Sequence, residues 1–165
     1  MKYLLAIADY FIFLMFGILI AGCAKQNVNS QLEANKAIVM RAWEEAFNQG
    51  KMDLVKEIFD ENYVESSPYK TYEPRGPERV IEADEWMKSV FGYLHFQVEQ
   101  MIAEGDFVFS RAMATGTHIG EFMGVSATGK PVRFAVVVVS KIKNGKIVRD
   151  WSFVDTETIL SQIRN

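Results

Sequence analysis

Cysteine is almost missing from this chain. Its 165 residues hold one, Cys23, so no disulfide can form within the chain and the fold must rest on its core. Histidine is nearly as scarce, with only His95 and His118, and no ligand spacing of a metal site occurs. A phosphate-cradling glycine loop and a nucleophile elbow are also missing, so neither metal nor cofactor is expected. There is no basic run, and the formal net charge is −3. Both exclude nucleic acid as the main partner, because neutralising phosphates takes clustered Lys and Arg. No internal repeat or low-complexity tract interrupts the sequence. Its length suits one domain, and 49% hydrophobic with 24% charged residues describes a globular chain.

What is present is concentrated between Arg111 and Asp155. Phe134 to Lys143, rich in Val and too short to span a membrane, predicts a buried strand. Asn144-Gly145 is a strong hairpin signal, because both residues tolerate the positive φ of a type I′ turn, and Lys146 to Phe153 is the return strand. A two-residue turn sets Ile142 opposite Ile147, Val138 opposite Trp151 and Val136 opposite Phe153. That register puts Trp151, Phe153 and Arg149 on one face with Val136 and Val138, and Asp150 and Ser152 on the other with Val137 and Val139. A bulge would shift it. Two apolar faces fit a curved sheet with helices on one side and a cavity inside.

The rest of the chain supplies the helices and further strands. Ser30-Gln31-Leu32-Glu33 has the form of a capping box, followed by an apolar stripe of Ile38, Ala42, Trp43, Ala46 and Phe47, and Gly50 as a stop. Lys51 to Phe59 is a second short helix, and Asn62 to Tyr72 a loop or short strand. Pro77 opens a third helix, with Val80, Ala83, Trp86, Met87, Val90 and Phe91 on its buried face. Phe96 to Glu104 and Phe107 to Thr117 are strands joined at Gly105-Asp106. His118 to Val125 continues the sheet or bends out of it, and Thr156 to Ile163 closes the chain as a helix. Helices first and then antiparallel strands predict an α+β domain with helices over one curved sheet.

At the N-terminus, Lys2 precedes an apolar run from Tyr10 to Ala21 and then Ile20-Ala21-Gly22-Cys23. This resembles a bacterial lipoprotein signal with its lipobox, in which the cysteine is acylated and becomes the new N-terminus. An uncleaved anchor and an ordinary secretory signal are the alternatives. The lipoprotein reading divides the chain into a signal at 1–22, a tether at 23–29 and a domain at 30–165. It implies lipidation at Cys23 and anchoring in the cell envelope, on the outer membrane where the host has one.

Arg41 to Gly50, Asn62-Tyr63-Val64, Gly116 to Gly124, Thr128-Gly129-Lys130, Gly145-Lys146-Ile147, Trp151, Asp155 and Leu160 to Ile163 together resemble the SnoaL-like polyketide cyclases of the nuclear transport factor 2-like superfamily. The likeness covers nearly all of Asn35 to Ile163 and implies a cone-shaped α+β fold. It implies an apolar pocket for a hydrophobic carbonyl-bearing small molecule, and a carboxylate base that drives an intramolecular aldol closure without a cofactor. The family's base falls on Ser152 and its histidine on Val138, neither of which abstracts a proton; Asp150 and Asp155 flank the place.

Candidate catalytic residues are therefore Asp155, Asp150 and His118, each with a plainer alternative. Asp155 precedes a helix and suits an N-cap, Asp150 suits a surface ion pair, and His118 suits a hydrogen-bonded scaffold. Glu65 and Glu121 are lesser carboxylates, and Arg111 and Arg149 are candidates for holding an anionic substrate. Tyr63, Trp86, Phe122, Met123, Trp151 and Phe153 are candidate pocket walls, although core packing explains each. Two functions stand side by side: a cyclase or isomerase, and a non-catalytic binding or accessory lipoprotein. A homodimer through an exposed sheet face is a third reading.

Overall fold

The computed structural model describes residues 28–66 and 75–164. Helix α1 runs over 28–41 and continues as a π-helical segment, Ala42–Asn48. It is already helical at residue 28, so Ser30 lies inside it and Glu33 pairs with Lys36 instead of closing a capping box. The stripe expected from the sequence does face inward: Ala42, Trp43 and Ala46 are buried. A 3₁₀ turn, Met52–Leu54, leads into the short α2, Val55–Ile58. Then follow β1 (Phe59–Ser66), α3 (Glu78–Val90), β2 (Phe91–Glu104), β3 (Phe107–His118), β4 (Pro131–Lys143), β5 (Lys146–Val154) and α4 (Thr156–Arg164).

The five strands form one sheet in the order β1-β5-β4-β3-β2. All neighbours are antiparallel except β1, which lies parallel to β5. Two side-chain amides fasten helices to this sheet by imitating a strand. Asn48 accepts from Phe96 N and donates to Phe96 O, both at 2.8 Å. Gln162 likewise accepts from Arg133 N at 2.8 Å and donates to Arg133 O at 2.9 Å. Each pair satisfies both backbone groups of one strand residue and fixes where the helix crosses.

Both hairpins fall where the sequence puts them. Asn144 (φ 52°) and Gly145 (φ 74°) turn β4 into β5 with the positive φ expected of them. Past that turn the register departs from expectation. Ile142 does pair with Ile147, but Lys141 pairs with Arg149, leaving Val148 as an extra residue. This bulge shifts every later pair: Ser140 faces Asp150, Val139 faces Trp151, Val138 faces Ser152 and Val137 faces Phe153. Asp150 and Ser152 therefore join Val136, Val138 and Ser140 on the concave face. Trp151 and Phe153 go to the convex one, where Trp151 stacks on Phe107 and Phe153 is half exposed.

The third helix also turns differently. Trp86 is 52% exposed, while Asp84 is buried with Val80 and Val90. After β3 the chain leaves the sheet: Met123 (φ 46°) and Gly124 (φ 80°) make a tight turn bridged by Phe122 and Val125. Gly120 has no alternative here, because a Cβ at that position would sit 2.5 Å from the Ser89 carbonyl oxygen.

Candidate functional site

A cavity of about 150 Å³ lies between the concave face and the helices. Its walls come from α1 (Val39, Trp43, Phe47), from α3 (Val80, Asp84, Met87) and from the sheet (Phe59, Phe96, Val136, Val138, Val154). Trp43 is held by a hydrogen bond from Nε1 to the buried Ser110 hydroxyl at 3.2 Å and stacks on Phe96 at 5.1 Å. The π-helical widening of α1 carries both Trp43 and Phe47 over this space, and such widenings gather at functional sites.

Polar groups enter the lining at few points, and one is exceptional. Asp150 is buried, and burial pushes its carboxyl from 3.8 up to about 7. The Ser140 and Tyr63 hydroxyls oppose the rise in part, and the Glu65 charge adds to it. Tyr63 donates from its hydroxyl to Asp150 Oδ2 at 3.1 Å. Burial and the Asp150 charge raise the Tyr63 phenol well above its usual value, which keeps it a donor. Ser140 stands opposite on β4 but does not bond Oδ1, which is buried with no hydrogen-bond partner. The carboxyl is thus gripped by one oxygen and free at the other. Across the cavity the Asp84 carboxylate is ion-paired with Lys88 at 2.7 Å, and Lys88 also donates to the Phe47 carbonyl at 3.2 Å.

Of the sequence candidates, the structure brings Asp150, Tyr63 and Glu65 to this cavity and leaves the others outside. Asp155 is exposed at the start of α4, where Oδ1 accepts from Thr158 N at 3.1 Å and Oδ2 from the Thr158 hydroxyl at 2.7 Å. Those bonds hold its carboxyl below the usual value, the opposite of what a base needs. His118 is fully buried on the concave face but at the far end of the sheet. Its Nδ1 lies 3.0 Å from the Thr128 hydroxyl and its ring is 6.0 Å from that of Phe91. Asp150 pairs with Ser140, and Thr117, beside His118, pairs with Pro131. The β4 strand between those points separates the two groups by roughly 25–30 Å.

Trp86, Phe122 and Met123 belong to that far end: Trp86 stacks on Phe122 at 6.3 Å, and Met123 is exposed. Trp151 and Phe153 are on the convex face, and the bulge at Val148 is the reason. Arg111 pairs with Glu99, while Arg149 donates to the Ser66 hydroxyl and lies over Trp151. Neither lines the cavity. His95 and Glu121 are exposed. Cys23 and the segment with the lipobox lie outside the described residues. Sequence reasoning missed Asp84, yet a signal existed: it shares a helical face with Val80 and Met87, and Lys88 follows at i+4.

The family model described as "SnoaL-like polyketide cyclase" matches residues 37–163. The chain belongs to the SnoaL-like polyketide cyclase family. Among curated relatives, the aklanonic acid methyl ester cyclase DnrD of Streptomyces peucetius is 31% identical over 117 residues, 68% of this chain and 81% of that protein. The aklanonic acid methyl ester cyclase AcmA of Streptomyces galilaeus is 30% identical over 115 residues, 68% of this chain and 80% of its own. Among solved structures, IdmH of Streptomyces antibioticus has a TM-score of 0.69 at 28% identity, covering 79% of this chain and 99% of IdmH. The SnoaL-like protein of Jannaschia sp. CCS1 superposes with a TM-score of 0.72 at 24% identity, over 79% of this chain and 92% of its own, a likeness of fold. Ser152 and Val138, where the resemblance puts the family's base and histidine, both line the cavity. The expected cone of α+β architecture is the one observed.

Proposed function

We propose that this SnoaL-like chain binds a hydrophobic, carbonyl-bearing small molecule in the cavity and cyclises or isomerises it by acid/base chemistry, with Asp150 as the base. The observation that carries the proposal is the Asp150 carboxyl: raised to about 7, held at Oδ2 by Tyr63 and unpartnered at Oδ1 beside an apolar cavity. A carboxylate in that range is available as a base near neutrality and strong enough to take a carbon-bound proton.

In a ring closure, Oδ1 takes a proton from the carbon next to a carbonyl. The enolate carbon then bonds to a second carbonyl carbon of the same molecule, and the proton returns from Asp150 to the new alkoxide oxygen. One proton leaves and one arrives, so no oxidant or co-reactant is consumed. Tyr63 positions the carboxyl, and the apolar walls keep water from competing for the proton. The names of the curated relatives support a polyketide-like ester as the type of substrate.

The experiment is native mass spectrometry of the protein after exposure to host extract, followed by turnover of the retained compound. Asp150→Asn should lower turnover by about 10²–10⁴-fold, the range of a lost general base. Unchanged turnover would remove Asp150 from that role.

A second reading has its own observation. Ser152 and Val138 put a hydroxyl and two methyls in the cavity where the family's cyclases carry their chemistry, which favours a binding or accessory role without catalysis. Multiple turnovers on any retained ligand would defeat it. Under either reading we assign the chain to the cell envelope through lipidation of Cys23, on the strength of Ile20-Ala21-Gly22-Cys23. The intact mass from a membrane fraction should show loss of Met1 to Gly22 and added acyl chains; a mass that retains those residues sinks the assignment.

A further inference from the structure

We propose that the cavity takes a compound whose buried part is no larger than a single ring and bears no negative charge, and that Asp84 is the residue that enforces the second condition. This deepens the reading above and rests on the cavity being the ligand site.

Size follows from the volume. The cavity measures about 150 Å³, and an apolar cavity of about that size holds one benzene ring. Fused polycycles need more than that space, and the surrounding core is close-packed: Phe59, Val55 and Ile147 are at most 2% exposed. A larger ligand would have to leave most of itself outside.

Charge follows from the lining. Three carboxyl groups reach this one space from three elements: Glu65 from β1, Asp84 from α3 and Asp150 from β5. Among the described residues that line it there is no Lys, Arg or His. The nearest cation in the α3 wall is Lys88, which is engaged by Asp84 Oδ2 and by the Phe47 carbonyl and does not itself line the cavity. The wall therefore presents a carboxylate with its cation outside the lining. Arg111 and Arg149 are committed on the other side of the sheet.

An anion entering here would lose its water among carboxylates and find no cation among the described lining residues, an uncompensated desolvation. An uncharged carbonyl meets no such penalty, since the hydroxyls of Ser140 and Ser152 are in the lining to donate to it. Removing the Asp84 charge leaves Lys88 without its partner carboxylate, so that wall changes sign.

The test uses unreactive probes on the full protein at pH 8, with affinities read by calorimetry: acetophenone, its anionic counterpart benzoate, and the three-ring ketone 2-acetylanthracene. Acetophenone should bind, with benzoate weaker by at least about tenfold and the three-ring ketone no tighter than acetophenone, its outer rings adding nothing. Asp84→Asn should raise benzoate affinity by about tenfold or more, and Glu65→Gln should raise it by a smaller factor. Equal binding of benzoate and acetophenone to the unaltered protein overturns the charge rule. Tighter binding of the three-ring ketone than of acetophenone overturns the size rule. Failure of all three probes to bind overturns both. Benzoate affinity unmoved in a folded Asp84→Asn protein overturns the part given to Asp84; should that variant not fold, Glu65→Gln without any gain decides against a carboxylate barrier. None of these outcomes depends on Asp150 acting as a base, which the turnover of Asp150→Asn decides separately.

Discussion

Asp150 and His118 make an instructive pair. Both are buried on the concave face of one sheet, and both leave one polar atom without a hydrogen-bond partner, Oδ1 of Asp150 and Nε2 of His118. Their surroundings differ. Asp150 looks onto a cavity and is gripped from behind by Tyr63, whereas His118 packs beside the Phe91 ring and does not line that cavity. An orphaned polar atom costs stability wherever it is buried. It can pay that back in chemistry only where a ligand can reach it. The contrast separates a group that is strained for use from one that is merely built in.

The largest effect expected from breaking this contrast is at Asp150. Besides losing turnover, Asp150→Asn should gain stability in a pH-dependent way. The native carboxyl holds its proton up to about 7, while the unfolded one releases it near 3.8. Between those values the unfolded state binds fewer protons, so stability falls as pH rises through that window. The asparagine has no proton to lose. Its advantage over wild type should be small at pH 4 and reach up to about 4 kcal/mol at pH 8. Denaturation curves at the two pH values check it, and a pH-independent difference would mean that Asp150 is not held protonated.

His118→Ala should behave oppositely. It removes a fully buried ring from beside Phe91 and leaves a void, at a cost of about 2–4 kcal/mol. Turnover at a temperature where the variant is folded should change by less than about threefold, because the ring touches nothing in the cavity. Collapse of turnover with stability intact would restore His118 as a functional group.

The difference between these two residues was only partly legible in the sequence. The succession of elements, both hairpin turns and the stripe of the first helix could be read, because Asn144-Gly145, Gly105-Asp106 and the spacing of Trp43, Ala46 and Phe47 act locally. The side on which a residue falls after a bulge could not. Val148 looks like an ordinary strand residue, yet by dropping out of the pairing it moved Trp151 and Phe153 out of the expected pocket and Asp150 into it. A one-residue slip exchanges the faces of everything beyond it. Asp84 was hidden for another reason: a charged residue on an apolar stripe is usually read as an interruption, and only a folded cavity shows that it is a wall. The distinction between core and lining is likewise one of space, and Trp43 and Phe47 serve as both.

Tyr63→Phe sharpens the comparison more finely, since it leaves the carboxyl in the cavity and removes its grip. The Tyr63 hydroxyl favours the charged form of Asp150, so losing it should raise the Asp150 value further. The acidic limb of activity, where Asp150 loses its proton, should then move to higher pH by up to about one unit, with a lower plateau. A profile of kcat/KM against pH measures this. A shift to lower pH would contradict the donor role.

The smallest effect belongs to Asp155, the carboxylate that lies nearest to Asp150 in the chain and outside the cavity. Its two bonds to Thr158 make it the N-cap of α4, whose Ile159, Leu160 and Ile163 are buried against the sheet. Asp155→Ala should cost about 1 kcal/mol and leave turnover unchanged. Because the native carboxyl is held low, its contribution is present above the ordinary carboxylate range and fades as pH falls through the depressed value. The stability gap between wild type and Asp155→Ala should therefore close in acid, the reverse of the trend at Asp150. Two aspartates a few residues apart would then titrate against stability with opposite sign, one because burial discourages its charge and the other because a helix end welcomes it.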